Sequence, residues 1–424
     1  MRKLLLGTTI LGLGFGAAEA QTLNILMESV PDTRFVEELL PEFEAATGID
    51  VELEVVNYAE MHTKLVPQLV SPTGSYDVIV VDFYWVGEFA KAGWLQPLDE
   101  RIAADGFDTS VYFDSLQDLV GQVDGEQLML PFYNYAMGLT YRHDLLEDPA
   151  EQAAFKEKYG IELRVPETWD EYLQQVEFFT RDTDGDGKND FFGVVNQGLR
   201  PDPIAMEWSN YLFANGGRFH DESWQPMLDS PEAVKAVEDY KRNLEEFGPL
   251  GAASFGFDEA FNVAAQGKAY SYLTYNMFRT AYDDPSQSAV VDKMEIVAVP
   301  NGGLNGAWGW AIPNSSPDPD AAWTFLKWVE SPEIAKKRAM LGGSPTRKDV
   351  FADEEVLAKY PYYPALENLL ATSHNFPVFT YTPQFVEVLG RELSLAVTGE
   401  KTAEEAMQTA NAELEALLKQ DGKL

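Results

Sequence analysis

Short apolar runs of β character alternate with amphipathic helical segments along this chain, and that alternation restricts it to layered α/β architectures built on largely parallel sheets. Thr22 to Met27 alternates in the manner of a strand. Pro31 to Ala46 then sets Phe35, Leu39, Leu40 and Phe43 at helical spacing, with Gly48 as the stop. Val51 to Val56 reads as a second strand, Tyr58 to Leu69 as a helix, and Tyr76 to Val81 as a continuous apolar run suited to a strand covered on both faces. Further helices are expected after Pro166, Ser230 and Pro317, and a last one from Thr402 to Leu418. At 424 residues the chain exceeds the size at which one core keeps growing, so two lobes are expected. The division expected is a leader over 1–20, the first part of an N-terminal lobe over 21–135, a mainly C-terminal lobe over 136–300, and hinge crossings with shared helices over 301–424.

The leader follows from Arg2 and Lys3 ahead of the apolar run Leu4 to Ala17 and the small-residue site Ala18-Glu19-Ala20, which predicts secretion and cleavage before Gln21. That run is shorter than the roughly 20 apolar residues that span a bilayer. With no cysteine in the chain, a lipid anchor on the mature N-terminus, disulfides, thiol nucleophiles and thiolate metal sites are all excluded. A soluble, monomeric, periplasmic protein is expected. The net charge of −38 repels phosphate backbones, so nucleic acid is not an expected partner.

Aromatic residues make up 12% of the chain, many beside polar groups in loop-like segments. A pyranose or polyol has C–H surfaces that stack on flat rings and hydroxyls that need carboxylates, amides or arginine, so a sugar cleft requires both kinds of group. Ligands of open α/β sheets collect beyond the carboxyl ends of strands, which singles out Glu28, and Asp82 with Trp85. Tyr133 and Tyr135 with Asn134, Trp208 with Asn210, Tyr275 with Asn276, and Trp308 with Trp310 are candidates on the same logic. Glycines on either side of Trp308 allow close approach of backbone to a ligand. Trp169, Trp323 and Trp328 lie in helical patterns and read as core.

The order of several short segments resembles the family 1 extracellular solute-binding proteins of carbohydrate ABC importers. They are Tyr76 to Asp82 leading to Glu88 to Asp99, Leu130 to Tyr133 leading to Tyr141 to Leu146, then Pro166 to Trp169, Gly267 to Ala269, Gly343 to Arg347, and Tyr360-Pro361. The resemblance covers essentially the whole mature chain. It implies an α/β, two-lobed periplasmic binding protein fold with a hinge, an interlobe ligand cleft, no catalysis, and delivery of a small carbohydrate to ABC permease subunits. It also implies ligand contacts from Asp82, from Tyr133 to Tyr135, from Trp308 and from Arg347. Several disaccharide binders of that family look like Tyr-Thr-Asp where this chain has Tyr133-Asn134-Tyr135. A monosaccharide, a polyol or a modified sugar is therefore as admissible as a disaccharide, and Arg200, Arg279 and Arg347 leave an anionic derivative open.

Asp182, Asp184, Asp186 and Asp190 match positions 1, 3, 5 and 9 of an EF-hand calcium loop, with Gly187 at the turn position and Lys188 offering its backbone carbonyl. Position 12 is Gly193 instead of a bidentate glutamate. A structural calcium ion and a plain acidic turn both fit that pattern. An exported glycoside hydrolase would also want aromatics and paired carboxylates. Against it, His62, His143, His220 and His374 form no H-E-x-x-H motif, and neither a G-x-S-x-G turn nor a Walker loop occurs. An aromatic cage for a quaternary ammonium or peptide ligand is the other alternative.

Overall fold

The computed structural model describes residues 21–424, and the expected leader lies outside them. The first sheet takes β1 (Thr22–Glu28), β2 (Asp50–Val56) and β3 (Val78–Asp82). Between them run α1 (Pro31–Thr47) and α2 (Tyr58–Val70), and α3 (Val86–Lys91) follows β3. Proline opens α1, and Gly48 closes it at φ 74°, a left-handed conformation that lets its N–H reach the Glu44 carbonyl. Later in the chain come β4 (Met129–Asn134), β5 (Met137–Arg142), α4 (Trp169–Phe179), β6 (Phe192–Val195), α5 (Asp202–Ala214) and α6 (Pro231–Arg242). β7 (Ala269–Tyr275), β8 (Met294–Val297) and β9 (Ala307–Ala311) complete the main strands. The remaining helices that matter here are α7 (Pro319–Val329), α8 (Pro332–Leu341), α9 (Tyr363–Thr372), α10 (Thr382–Val397) and α11 (Ala403–Asp421).

Two main sheets result, one per lobe, beside a two-stranded ribbon within residues 122–127. The first has the order β2-β1-β3-β9-β4 and the second β8-β5-β7-β6. β1 pairs in parallel with β2 and β3, whereas β9 inserts antiparallel between β3 and β4. Central placement explains why all five residues of β3 are buried, as its unbroken apolar sequence demands. Chain crossings join the lobes between β4 and β5, between β8 and β9, and again between α8 and α9. A single continuous cluster of buried apolar side chains runs through both lobes, from Leu23 in β1 to Leu418 in α11. Among the described residues, no helix is long and apolar enough to cross a membrane.

The crossings are pinned by side chains. Asn134 Nδ2 donates to the Pro345 carbonyl, and Asn134 Oδ1 accepts from Asn276 Nδ2 at 2.8 Å. Asn210 Oδ1, on the buried helix α5, accepts from the Leu304 amide at 2.8 Å. Buried backbone and amide groups must be paired, and at a hinge this pairing fixes where the chain bends.

A candidate ligand cleft between the lobes

Register alone brings the core of the site together. Trp308 of β9 lies opposite Asp82 of β3 on one side and opposite Tyr133 of β4 on the other. Cross-strand partners have Cβ atoms about 4.5–5.5 Å apart, so a carboxyl, an indole and a phenol are held side by side at the carboxyl end of β3. Glu28 is the last residue of β1, the parallel neighbour of β3, and a second carboxyl thereby joins the first. This is the edge at which open α/β sheets take their ligands.

A cavity of about 160 Å³ opens there. Glu28, Val30, Tyr58, Asp82 and Trp308 form its wall on the first lobe, and Met206, Phe257, Tyr275 and Met277 its wall on the second. Tyr135 and Gly306, at the crossings, complete it. A Cβ at Gly306 would lie 2.8 Å from the Tyr275 ring and 2.9 Å from the Tyr135 carbonyl, so only glycine allows the chain to pass between them. The lobes are closed: Trp308 is 5% exposed and Asp82 2%.

The rings form a continuous chain around the cavity. Trp85 stacks on Tyr58 at 5.7 Å and meets Trp308 edge-on at 5.4 Å. Tyr133 stacks on Tyr135 at 4.4 Å, and Tyr135, Tyr275 and Phe257 follow in sequence across the cleft. The phenols also orient the acids. Tyr58 donates to Asp82 Oδ2 at 2.8 Å, Tyr133 to Glu28 Oε2 at 2.7 Å, and Tyr135 to Asp32 Oδ2 at 2.9 Å. Asp82 Oδ1 is buried and has no partner within the protein.

Burial pushes the Glu28 carboxyl up to about 7, against the lowering effect of the Tyr133 hydrogen bond, and Asp32 adds repulsion in the same upward direction. Asp82 is held well above the usual carboxylate range by burial, with the Tyr58 hydrogen bond opposing and Glu28 reinforcing the shift. At the rim, Asp202 is pushed up to about 6 by burial and by Glu387. That rim is a shallower pocket bounded by Tyr58, Trp85, Asp202 and Glu387.

Glu28, Asp82, Tyr135, Tyr275 and Trp308 thus share the cavity wall, while Tyr133 braces it from behind and Trp85 lies at its rim. Other candidates face elsewhere. Trp208 is wholly buried beside Phe219, and Asn134, Asn210 and Asn276 serve the crossings. Trp310 is core: its indole N–H donates to Glu330 at 3.0 Å and its ring lies on Phe132. Arg347 pairs with Asp349 at 2.7 Å and donates to the Glu330 carbonyl at 2.8 Å, because the ion pair and carbonyl hold its guanidinium away from the cleft. Arg279 pairs with Asp283 at 2.5 Å, and Arg200 is exposed. The anionic ligand that these arginines leave open on sequence grounds therefore finds no arginine in the cavity.

Tyr58, Met206, Phe257 and Met277 belong to the wall without having been marked by the sequence. Tyr58 carried a usable signal, since it begins the helix directly after β2 at the same sheet edge. Met206 and Phe257 stand in the opening turns of second-lobe helices and look like ordinary core residues until the lobes meet.

In the acidic loop, the carboxylate oxygens of Asp182, Asp184 and Asp186 lie within 4.8 Å of one another. Asp182 accepts from the Gly185 and Gly187 amides, both at 2.7 Å, Asp186 accepts from the Lys188 amide, and Asp190 caps Thr183. A Cβ at Gly193 would fall 1.8 Å from the Val176 carbonyl oxygen, so the close packing of β6 on α4 bars a carboxylate from the twelfth position.

A closed two-lobed cleft lined by rings and acids, with walls from both sheets, defines a ligand-trapping protein. Residues 28–336 match the family described as bacterial extracellular solute-binding protein, and the chain belongs to that family, whose members bind solutes and catalyse nothing. It is 26% identical to a mannitol-binding protein of Pseudomonas aeruginosa over 96% of this chain and 95% of that one. It is also 26% identical to a probable amino-acid ABC transporter periplasmic-binding protein of Sinorhizobium fredii, over 90% of this chain and 86% of the relative. A solute-binding protein from Agrobacterium radiobacter, solved in complex with ribitol, superposes with a TM-score of 0.81 at 27% identity, covering 94% of this chain and 98% of the other.

Proposed function

We propose that the cavity captures one small polyhydroxylated molecule, of polyol or monosaccharide size, and that closure around it presents the monomeric protein to an ABC permease from the periplasmic side. The observation that carries this reading is the lining: the Glu28 and Asp82 carboxyls and the Tyr135, Tyr275 and Trp308 rings meet around one space walled by both lobes. Ligand hydroxyls pair with the carboxyls while C–H surfaces lie on the rings. Because only the closed form makes contacts from both walls, ligand shifts the population toward closure. The cavity itself, about 160 Å³, suits a ligand of polyol or monosaccharide size. The relative named for mannitol binding and the neighbour solved in complex with ribitol support the polyol class. An α-amino acid would need a cationic partner for its carboxylate, and among the described residues no lysine or arginine lines the cavity.

Titration calorimetry with pentitols, hexitols and their parent sugars tests the reading. Trp308→Ala is expected to weaken the tightest binder by about 1.5 kcal/mol, roughly tenfold, the scale of one stacked aromatic contact. Unaltered affinity would place Trp308 outside the site.

The raised Glu28 carboxyl predicts a pH dependence. The groups facing it are Tyr133, Tyr135 and Tyr275, with Asp32 and Asp82, and none is cationic. An ionised carboxylate accepts hydroxyl hydrogen bonds more strongly than a protonated one, so affinity is expected to rise as pH passes upward through about 7. The free protein responds in the opposite sense. Its Glu28 carboxyl is raised from 4.5 to about 7, so the stability it contributes is full below 4.5 and is lost as pH rises through about 7. Affinity and melting temperature measured across this range should move in opposite directions, and Glu28→Gln should flatten both profiles.

A further inference from the structure

The cavity has a marked imbalance of charge. Glu28 and Asp82 both face into it, Asp32 stands directly behind Tyr135, and Asp202 and Glu387 line the adjoining rim. Among the described residues, no lysine or arginine lines either space, and His62, at the rim, is hydrogen-bonded to Glu88 at 2.8 Å. The nearby guanidinium groups are engaged elsewhere: Arg338 with Glu330, Arg347 with Asp349 and Arg279 with Asp283. Among the described residues no cationic side chain faces Glu28 or Asp82, and burial holds both carboxyls toward their neutral forms against the hydrogen bonds from Tyr133 and Tyr58. Neutral hydroxyls satisfy their hydrogen-bonding capacity in that form. A cationic group on the ligand would in addition stabilise the ionised form.

The rings point to the same kind of guest. Tyr58, Trp85 and Trp308 pack on one another beside Asp82, and Tyr135 and Tyr275 stand across from them. Their negative faces attract a cation within about 6 Å. The Asp82 carboxyl belongs to the wall of this enclosure, with Oδ2 taken by Tyr58.

We infer that the physiological ligand is a small hydroxylated molecule carrying one protonated amine, an amino sugar or amino polyol, whose ammonium group lies between Glu28 and Asp82 against Trp308. This rests on the polyol-type reading above and narrows it. The Glu28 and Asp82 carboxylates accept from the ammonium, the indole face covers it, and the remaining hydroxyls take the other polar contacts.

The test is calorimetric, near pH 8 for the glucitol series, whose alkylamine keeps its proton there while Glu28 has lost its own, and at about pH 7 for the hexosamine series, whose amine beside the anomeric carbon is less basic. D-glucitol, 1-amino-1-deoxy-D-glucitol and D-gluconate form one series, and glucose, glucosamine and glucuronate, with the galactose equivalents, form the others. In the best-binding series the amine should bind about tenfold or more tighter than the neutral compound, with the anion weakest, and Glu28→Gln should remove most of that preference while melting as a folded protein. Equal binding, or tighter binding of the neutral member, would overturn the amine assignment and leave the polyol reading standing. If no member of any series bound, the polyol reading itself would fall. A tenfold preference that survived Glu28→Gln would also overturn the placement, because the ammonium would then lie elsewhere.

Discussion

Asp82→Ala is expected to reduce ligand affinity by about 3 kcal/mol, on the order of 150-fold in Kd, while leaving the free protein at least as stable as before. The binding loss combines a lost hydrogen bond between the ligand and the Asp82 carboxyl, roughly 0.5–1.5 kcal/mol, with the roughly 1–3 kcal/mol of leaving the Tyr58 hydroxyl without a partner in the closed, liganded cavity. The stability effect runs the other way. In the free protein Asp82 is a buried carboxyl whose Oδ1 has no partner and whose ionisation is opposed by burial and by Glu28. Removing it relieves a desolvation cost that the Tyr58 hydrogen bond offsets only in part. Calorimetry gives the first quantity and thermal unfolding without ligand the second. A variant that unfolds several degrees earlier yet still binds tightly would show Asp82 to be a structural residue, and the proposed site would fail at its centre.

The carboxyl-edge argument located Glu28 and Asp82 because it depends only on where a strand ends, and strand ends are written locally in alternation and apolar runs. Trp308 was found through its glycine neighbours, and Gly306 does thread between Tyr275 and Tyr135. Helix positions were equally local: a proline at the start and a left-handed glycine at the end mark α1, and a Thr402–Glu405 capping box marks α11. What could not be read was partner choice across long sequence separations. Trp308 and Trp310 are two residues apart on one strand and look alike in sequence, yet one borders the cavity and the other meets Glu330. Asn134 and Asn276 lie beside ring residues as a sugar site would require, but their amides bond to each other because two crossings meet there. Met206 and Phe257 become wall residues only when the second lobe closes on the first. Aromatic residues next to polar ones are thus a signal shared by cleft and core, and register, not composition, separates the two.

The residues that left the cleft form a brace beneath it, and Glu330→Ala is expected to destabilise the protein by about 3–5 kcal/mol, the cost of removing one partner from a buried ion pair. Glu330 is fully buried and pairs with Arg338 at 2.7 Å. Its carboxylate also accepts from the Trp310 indole at 3.0 Å and from the Tyr112 hydroxyl at 3.3 Å, while its carbonyl accepts from Arg347. Arg338 continues the network to the Phe132 carbonyl of β4. Alanine at 330 therefore strands a guanidinium, an indole N–H and a phenol at once, all without access to water. Pairing it with Arg338→Met should recover much of the loss, since a matched apolar replacement removes the uncompensated charge. Urea unfolding without ligand measures both effects, and a single-site loss under about 1 kcal/mol would show that the pair is not buried in solution. The brace and the ligand wall share β9, the brace through Trp310 and the wall through Trp308. If the brace sets the height of that strand, ligand affinity of the folded Glu330→Ala protein should fall along with its stability. If affinity is untouched, the pairing of β9 with β3 and β4 is sufficient to place Trp308, and the brace stabilises the lobe without tuning the site.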